Sequence, residues 1–266
     1  VNNMMVELLA LAAAFFYGLN SVLVRIGMTR DPKSHPLSAS TITMFADLLF
    51  MWAVYVVVSP PFVLQAAIVF AAAGIIGQCF ARTLNYTGIH RLGVSISAPI
   101  IGANPLFAAI SAAILLNETI SSESYVGVVL VVMGVAIIGI GSQELTIAGN
   151  WKKRELVIPL AASLCYGLSA TVRKMGLNIL NVPISGAAFG ILAAMTVYAV
   201  SLLVSGRIAK ITVNRQSFGL FFAAGLSTGV AWLCAFTGLS EGKVGVFTPI
   251  QGSSPLISLF LCQIFL

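Results

Sequence analysis

The chain has 266 residues, of which 59% are hydrophobic and only 8% carry a charge. Soluble domains carry roughly 25% charged residues, so this sequence has too few charges to cover a surface in contact with water. The composition excludes a soluble globular domain and predicts a protein whose main partner is the lipid bilayer. The net charge of +6 is explained by membrane topology and by contact with anionic lipids, so no nucleic-acid partner is expected.

Apolar stretches long enough to cross a membrane recur along the whole chain. A spanning helix needs about 20 apolar residues, because the hydrocarbon layer is roughly 30 Å thick and an α-helix rises about 1.5 Å per residue. Stretches such as 126–132 do not alternate apolar and polar residues, which argues against β-strands. Ser59-Pro60-Pro61 divides one long stretch into two. The predicted helices are 4–28, 37–58, 62–86, 92–116, 122–142, 156–178, 183–205, 216–239 and 243–266.

The sequence also matches itself once. At an offset of 149 residues, Tyr17-Gly18-Leu19 aligns with Tyr166-Gly167-Leu168. At an offset of 150 residues, eight of the 20 positions in 87–106 are identical to those in 237–256. These identities include two prolines and two glycines, which apolar bias alone explains poorly. We interpret the match as an internal duplication.

The duplication defines the domain organisation that we expect. Residues 1–145 form a first five-helix repeat, and residues 146–266 form a second repeat that ends before its fifth helix, so nine helices of a ten-helix fold are present. Because five is odd, the second copy enters the membrane from the opposite side. The fold class is therefore an all-α membrane protein with two inverted repeats, a common construction of secondary transporters.

Lysine and arginine are distributed unevenly over the two sides of the membrane. With nine spans, the side of the amino terminus holds three of them, Arg173, Lys174 and Lys243, and the opposite side holds eleven. Since cytoplasmic loops carry the excess of basic residues, the opposite side is predicted to face the cytoplasm.

Two stretches resemble EamA-type members of the drug/metabolite transporter superfamily. They are Tyr17-Gly18-Leu19-Asn20 with Val24-Arg25-Ile26-Gly27, and Pro105-Leu106-Phe107 with Leu115-Leu116-Asn117-Glu118-Thr119-Ile120. The resemblance implies a ten-helix permease of the inner or plasma membrane that exports or exchanges small metabolites and is not an enzyme. Two features depart from the family. Members usually place both ends in the cytosol, and they often carry an arginine in helix two, where this chain has Asp47.

Polar residues inside the predicted spans are the first candidates for a site. Asp47 is the only carboxylate near the middle of a span, roughly 15 Å from the helix start. Such residues usually face a water-filled cavity or a charged partner. Asp47 therefore takes part in proton coupling or substrate contact, or it forms a static pair with Arg82. Gln78, Arg82 and Asn85 share one helix face, which either lines a cavity or bonds to neighbouring helices.

Prolines at equivalent places of the two copies are a second signal. Pro99 and Pro105, and their counterparts Pro249 and Pro255, each leave a carbonyl four residues earlier without its helical donor. Such carbonyls either bind a substrate or are bonded by neighbouring helices. Their matching positions in both halves favour a cavity. The polar residues beside them are Asn104, Gln251, Ser253 and Ser254.

Aromatic residues complete the candidate site. Tyr17 and Tyr166 occupy matching positions in helices one and six, Asn20 follows Tyr17 by one turn, and Trp232 aligns with Arg82 in the repeat. They are interpreted as cavity walls, with packing as the alternative. The predicted substrate-binding residues are Tyr17, Asn20, Asp47, Gln78, Arg82, Asn85, Asn104, Tyr166, Trp232, Gln251 and Ser253.

Signals for other chemistry are weak. The four cysteines have no paired spacing, the two histidines lie apart, and no nucleotide-binding Gly-x-x-x-x-Gly-Lys pattern occurs. We therefore expect no catalytic residue, cofactor or metal site. The leading hypothesis is a secondary transporter that exports a small organic metabolite by alternating access, with proton coupling or by exchange. The alternative is a non-transporting membrane scaffold or an intramembrane enzyme. Assembly as a homodimer stays open.

Overall fold

The structure, a computed structural model, describes residues 3–31, 35–92, 94–118, 126–130, 133, 134, 137 and 153–265. Every regular element in this part of the chain is helical. Eight helical spans in it, some of them made of two consecutive helices, are long and apolar enough to cross a membrane. The predicted all-α membrane class is therefore confirmed.

The helices follow the predicted order, with bounds that differ by a few residues. A π-helical segment, Ile75–Ala81, joins the two helices of the third span. The predicted helix 122–142 lies largely outside the described residues, although 126–130, 133, 134 and 137 are helical. In chain order the helices are α1 (Asn3–Arg30), α2 (Pro36–Val58), α3 (Leu64–Gly74), α4 (Arg82–Leu92), α5 (Val94–Ile101), α6 (Asn104–Leu116), α7 (Val157–Ile179), α8 (Pro183–Val204), α9 (Arg215–Glu241), α10 (Val244–Gln251) and α11 (Ser254–Phe265).

Helix α2 shows how the sequence sets the ends of a span. Pro36 lies in the first turn, where its missing N–H has no helical acceptor, and the His35 imidazole accepts a hydrogen bond from an amide of that turn at 3.2 Å. At the other end, Ser59 adopts a left-handed conformation (φ 45°). Its hydroxyl donates to a carbonyl of the last turn at 2.8 Å. The prolines that follow prevent further helix, so the predicted boundary is confirmed.

The third span contains a wide turn at its centre. The π-helical segment lies between α3 and α4, and such segments are frequent at functional sites. Gly74 precedes the segment and lies directly against Gly190 of α8, where a side chain on Gly74 would collide with the Gly190 backbone. The segment carries Gln78 and ends just before Arg82, so the polar face of this span begins in its irregular part.

Two predicted spans are each divided into two helices. Gly102-Ala103 separates α5 from α6, and Gly252-Ser253 separates α10 from α11. Pro105 and Pro255 lack an amide proton, so the helical bond to the residue four positions earlier is missing and the turn opens. The fourth and last predicted helices hold as spans and need correction only at these breaks. The two breaks lie 150 residues apart, which is the offset of the sequence match.

The first and second halves of the chain interleave instead of forming separate bundles. α1 packs along α9, α3 along α8, and α6 along α7. Glycines allow these close approaches. A side chain on Gly225 of α9 would collide with the Thr43 backbone of α2, and one on Gly167 of α7 would lie 2.6 Å from the Ala108 amide nitrogen of α6. The core is therefore built mainly from contacts between the halves.

Hydrogen bonds between helix ends identify which ends share a side of the membrane. Asp31, after α1, accepts a hydrogen bond from the Asn214 amide before α9 at 2.9 Å. Glu118, after α6, accepts one from the Val244 amide at the start of α10 at 3.1 Å. Because successive spans alternate in direction, Glu118 lies on the side where α1 begins. We call this the amino-terminal side, and we call the side of Asp31 the opposite side.

Candidate functional site

A cavity of about 360 Å³ lies between α1, the third span, α7, α9 and the two broken spans. This volume suits a small molecule. Ser21, Arg25 and Thr29 of its lining are exposed, whereas Arg173 and Trp232 are each only 5% exposed. The exposed residues lie in the second half of α1. The cavity therefore opens towards the opposite side and is closed towards the amino-terminal side.

The fold brings most of the predicted site residues together. Nine of the eleven line the cavity, and they come from both halves of the chain. The two that do not line it are Asp47 and Ser253. The nine are Tyr17, Asn20, Gln78, Arg82, Asn85, Asn104, Tyr166, Trp232 and Gln251.

Asp47 lies behind the cavity wall, where it is fully buried. Its Oδ2 accepts hydrogen bonds from Arg82 Nη2 and from Gln78 Nε2, both at 3.3 Å. The ion pair with Arg82 that the sequence left open is therefore present, and both side chains are buried. In such a pair each charge depends on the other, because loss of one partner leaves an uncompensated charge in the interior.

Arg82 connects the cavity with this buried carboxylate. Its side chain lines the cavity, although the residue is only 4% exposed. Nη2 is bonded to Asp47, while Nη1 has no hydrogen-bond partner among the residues that the structure describes. A change in the bond to Asp47 would therefore change the position of the Arg82 guanidinium at the cavity surface.

A second buried arginine lies at the closed end of the cavity. The guanidinium carbon of Arg173 is 5.1 Å from the ring centroid of Trp232 and 5.7 Å from that of Phe236. Its Nε donates to the Ser169 carbonyl at 3.4 Å, and its Nη1 has no hydrogen-bond partner in the described ranges. The Tyr17 side chain also approaches this guanidinium. Arg173 is thus held by aromatic rings and by groups that carry no charge.

Among the described residues, Arg173 has no acidic partner, whereas Arg82 has one. In the described part of the chain, ion pairs join Arg82 to Asp47 at 3.3 Å and Arg91 to Glu155 at 3.5 Å. A guanidinium without a carboxylate is unusual at this depth, since isolated charges in a membrane interior are costly.

Arg173 was not among the predicted site residues and was assigned to the loop charges of the amino-terminal side. The structure corrects that assignment, because Arg173 lies inside α7 and is only 5% exposed. One signal could have found it. Tyr166, Ser169 and Arg173 are spaced by three and four residues, which places all three on one helix face.

The predicted amide residues have two different roles. Asn85 Nδ2 donates to the Tyr166 hydroxyl at 3.4 Å, and Asn85 Oδ1 has no partner in the described residues. Asn20 Nδ2 instead donates to the Ala224 carbonyl at 3.0 Å and to the Thr228 hydroxyl at 2.8 Å. Asn20 therefore joins α1 to α9, whereas Asn85 keeps an acceptor free at the cavity wall.

At the first break, the carbonyl that proline leaves without a helical donor is bonded by its surroundings. The Ile101 carbonyl lies four residues before Pro105 and accepts hydrogen bonds from Asn104 Nδ2 at 3.0 Å and from Ser163 Oγ at 3.2 Å. The sequence left open whether these carbonyls bind a substrate or are bonded by neighbouring groups. At the first break the Ile101 carbonyl is bonded by neighbouring groups.

The second break presents different groups to the cavity. Gln251 lines it, and its Oε1 has no hydrogen-bond partner among the described residues. Ser253 donates to the Ile250 carbonyl at 2.7 Å and does not line the cavity, whereas Ser254 does. The sequence-based prediction of Ser253 therefore does not hold for the cavity wall, and its neighbour Ser254 is the serine that lines the cavity.

Among the residues that the structure describes, the charged ones in the cavity wall are all arginines: Arg25, Arg82 and Arg173. Asp47 compensates Arg82 from behind, and Arg25 is exposed near the opening. Arg173 remains as an uncompensated charge at the closed end. In the described ranges no group of three His, Cys, Asp or Glu residues could hold a metal ion. The wall can bind a small molecule through amides, hydroxyls, aromatic faces and cationic groups.

One pattern associated with hydrolases, Gly-x-Ser-x-Gly, occurs at Gly225-Leu226-Ser227-Thr228-Gly229 inside α9. In hydrolases this serine lies on a sharp turn between a strand and a helix. Here Ser227 lies in the middle of a helix and donates to the Phe16 carbonyl at 2.8 Å. Both glycines lie close to α2. The pattern therefore serves helix packing.

Comparisons with known proteins agree with this architecture. The sequence model of the EamA-like transporter family matches residues 4–140. No curated protein sequence matches the chain. One solved crystal structure of a protein aligns with 97% of this chain and 87% of its own chain, with a TM-score of 0.77 and 12% sequence identity. At that identity the similarity concerns the fold alone.

Proposed function

The chain belongs to the EamA-like transporter family, and we propose that it is a secondary transporter that exports a small organic metabolite across the inner (plasma) membrane. Transport proceeds by alternating access and is coupled to protons or to exchange. The observation that carries the proposal is the cavity, which is lined by polar and apolar residues from spans of both halves and is open towards one side of the membrane.

Equivalent features of the two halves support inverted repeats at 1–145 and 146–266. The breaks in the fourth and last spans lie 150 residues apart, and both contribute to the cavity. α1 ends on the opposite side, whereas α7 begins there, because Glu155 before α7 bonds to Arg91 at the end of α4 at 3.5 Å. Inverted halves that meet at a central site can exchange conformations and so open that site to each side in turn.

Three hydrogen bonds close the amino-terminal side in this state. Lys174 Nζ donates to the carbonyls of Leu239 and Gly242 at 2.7 Å and 2.9 Å. Glu118 accepts from the Val244 amide at 3.1 Å. These closing contacts tie α7 and the first broken span to the connection between α9 and α10. Alternating access requires that they break when the cavity opens to the amino-terminal side.

The distribution of basic residues supports a cavity that opens to the cytoplasm. Arg82 and Arg173 are buried within spans and do not count as loop charges. Without them, the opposite side still holds most of the lysines and arginines. In the present state a metabolite can enter the cavity from the cytoplasm. When the cavity closes on that side and opens to the amino-terminal side, the metabolite is exported.

Asp47 is the candidate for energy coupling, acting through Arg82. Because Asp47 does not line the cavity, a proton on its carboxylate would act indirectly: it would weaken the bond to Arg82 and free the guanidinium towards the substrate. If transport proceeds by exchange alone, the pair stays intact throughout the cycle.

Flux measurements in proteoliposomes test the proposal. The purified protein is reconstituted and offered a broad panel of labelled amino acids, nucleobases, sugar derivatives, organic acids and amines, with and without a proton gradient. We expect uptake of at least one compound above the level of protein-free liposomes. Gln251→Ala should reduce this uptake, whereas the matched control Gln216→Ala, at the exposed start of α9, should leave it unchanged. A folded protein that moves no member of the panel would contradict the proposal.

Comparative metabolomics gives an independent test in cells. Because an exporter removes its substrate from the cytoplasm, cells that lack the gene should accumulate that substrate. Restoring the intact gene should return its level to normal. An unchanged metabolite profile would argue against export.

A further inference from the structure

We propose that the closed end of the cavity binds the carboxylate of a small organic monoanion, with Arg173 as its receptor. This inference rests on the proposed transport function and names the substrate class. The uncharged part of the substrate lies along the wall formed by Tyr17, Trp232 and Gln251.

The first support is the charge of the cavity. An arginine side chain stays protonated in proteins, so Arg173 places a permanent positive charge at a site that is only 5% exposed. The contact with the Trp232 ring stabilises this buried cation by less than the cost of isolating a charge in a membrane interior. An anion bound beside Arg173 would supply the missing compensation.

The second support is the geometry of the guanidinium. Its central carbon lies over the Trp232 ring, 5.1 Å from the ring centroid, while Nη1 has no hydrogen-bond partner among the described residues. The edge of a guanidinium matches the two oxygens of a carboxylate, which form parallel hydrogen bonds with it. In the same cavity wall, Arg82 already bonds to the carboxylate of Asp47. A substrate carboxylate would therefore form an ion pair with Arg173, as Asp47 does with Arg82.

The third support is the arrangement of the remaining polar groups. Arg25 is exposed near the opening and attracts anions into the cavity, since none of the described lining residues carries a carboxylate. Asn85 Oδ1 and Gln251 Oε1 are acceptors without partners in the described part of the chain. They suit a hydroxyl or amide donor on the substrate. One uncompensated charge at the closed end favours one negative charge on the ligand.

Binding of probes that differ mainly in charge tests the inference. Benzoate, benzamide and benzylammonium have similar shapes and carry negative, zero and positive charge. We expect the protein in nanodiscs to bind benzoate at least about tenfold more tightly than the other two in equilibrium dialysis, as for a charged partner of a buried guanidinium. Phenyl phosphate, a dianion, should bind no more tightly than benzoate. Equal binding of the three probes, absence of benzoate binding, or preference for benzylammonium or phenyl phosphate would overturn the inference.

Variants of Arg173 locate the effect. Arg173→Met should abolish the preference for benzoate, and Arg173→Lys should retain it with binding about tenfold weaker, because lysine keeps the charge and loses the planar fork. Arg207→Met removes the same charge at an exposed position and should bind benzoate as the unmodified protein does. If Arg173→Met does not elute as a folded species, Arg173→Lys carries the test. Unchanged benzoate binding in the Arg173 variants would refute the role of this residue.

Flux of the same probes separates this inference from the proposed function. Transport of benzylammonium or benzamide without benzoate would overturn the anion receptor and leave a transporter in place. Benzoate binding without flux of any compound in the broad panel would support the receptor and contradict transport.

Discussion

Two buried arginines, one from each half of the chain, are stabilised in different ways beside the same cavity. Arg82 is paired with Asp47 at 3.3 Å. Arg173 lies 5.1 Å from the Trp232 ring centroid, without a carboxylate in the described ranges. An arginine whose partner is fixed in the protein contributes to the fold, whereas one without a partner can bind a ligand. The comparison shows that two buried arginines can be stabilised in different ways, and we expect a structural role for Arg82 and a functional one for Arg173.

The largest expected effect is on stability and comes from the paired arginine. Asp47→Leu leaves Arg82 charged and buried without its partner, so the free energy of unfolding should fall by about 3–5 kcal/mol. Denaturation of the purified protein in detergent, followed by circular dichroism, measures this loss.

The double variant Asp47→Leu with Arg82→Leu serves as the control. It removes both charges together and should recover most of the lost stability, because apolar residues of similar volume often replace a buried pair without cost. If Asp47→Leu alone is as stable as the unmodified protein, the pair contributes nothing to the fold and the comparison fails.

The unpaired arginine should show the reverse behaviour. Arg173→Met removes a charge that has no acidic partner among the described residues, so stability should stay the same or rise. Flux of the natural substrate should fall about a hundredfold, which corresponds to roughly 2.7 kcal/mol of lost interaction. The two quantities are measured on one preparation. A large loss of stability with unchanged flux per folded molecule would show that Arg173 is structural.

The same contrast extends to two neutral amides. Asn20 donates two hydrogen bonds between α1 and α9, whereas Gln251 Oε1 has no partner in the described residues. Asn20→Ala should lower the free energy of unfolding by about 1–2 kcal/mol, because it removes two buried hydrogen bonds between α1 and α9 and leaves the Thr228 oxygen without its donor. Gln251→Ala should leave stability unchanged and weaken substrate binding. Parallel denaturation and binding curves check both variants, and equal losses of stability would remove the distinction.

The smallest effect concerns the ring beneath Arg173. Trp232→Phe keeps an aromatic face but weakens the cation–π interaction, by up to about 1 kcal/mol, so substrate affinity should change only a few-fold. Trp232→Leu should change it more. Affinities from equilibrium dialysis check the order, and a larger loss with phenylalanine than with leucine would contradict the aromatic role.

Sequence patterns predicted the spans well because long apolar stretches and prolines act locally. The end of α2 at Ser59 is an example, since the prolines that follow stop a helix in any context. Nine of the eleven predicted site residues line the cavity for a similar reason: polar side chains inside a span need partners wherever they lie. What the sequence could not decide depends on the packing of distant helices.

Three site residues illustrate that limit. Asp47 was ambiguous because the rotation of α2 decides whether it faces the cavity or Arg82. Ser253 was chosen over Ser254 because the turn at the break, which no pattern specifies, sets which hydroxyl reaches the cavity. Arg173 looked like a charge at the end of a span, since the contact with Trp232 that holds it in the interior comes from a helix about 60 residues away.

Alternating access of this one cavity is tested most directly by labelling from both sides of the membrane. Ser254→Cys, in a background without the four native cysteines, is offered an impermeant maleimide from each side in turn. While Glu118 is unchanged, this variant should be labelled mainly from the opposite side. Glu118→Gln, which weakens a closing contact, should increase labelling from the amino-terminal side. Labelling from the opposite side alone, unchanged by Glu118→Gln and by transported substrate, would contradict transport through this cavity.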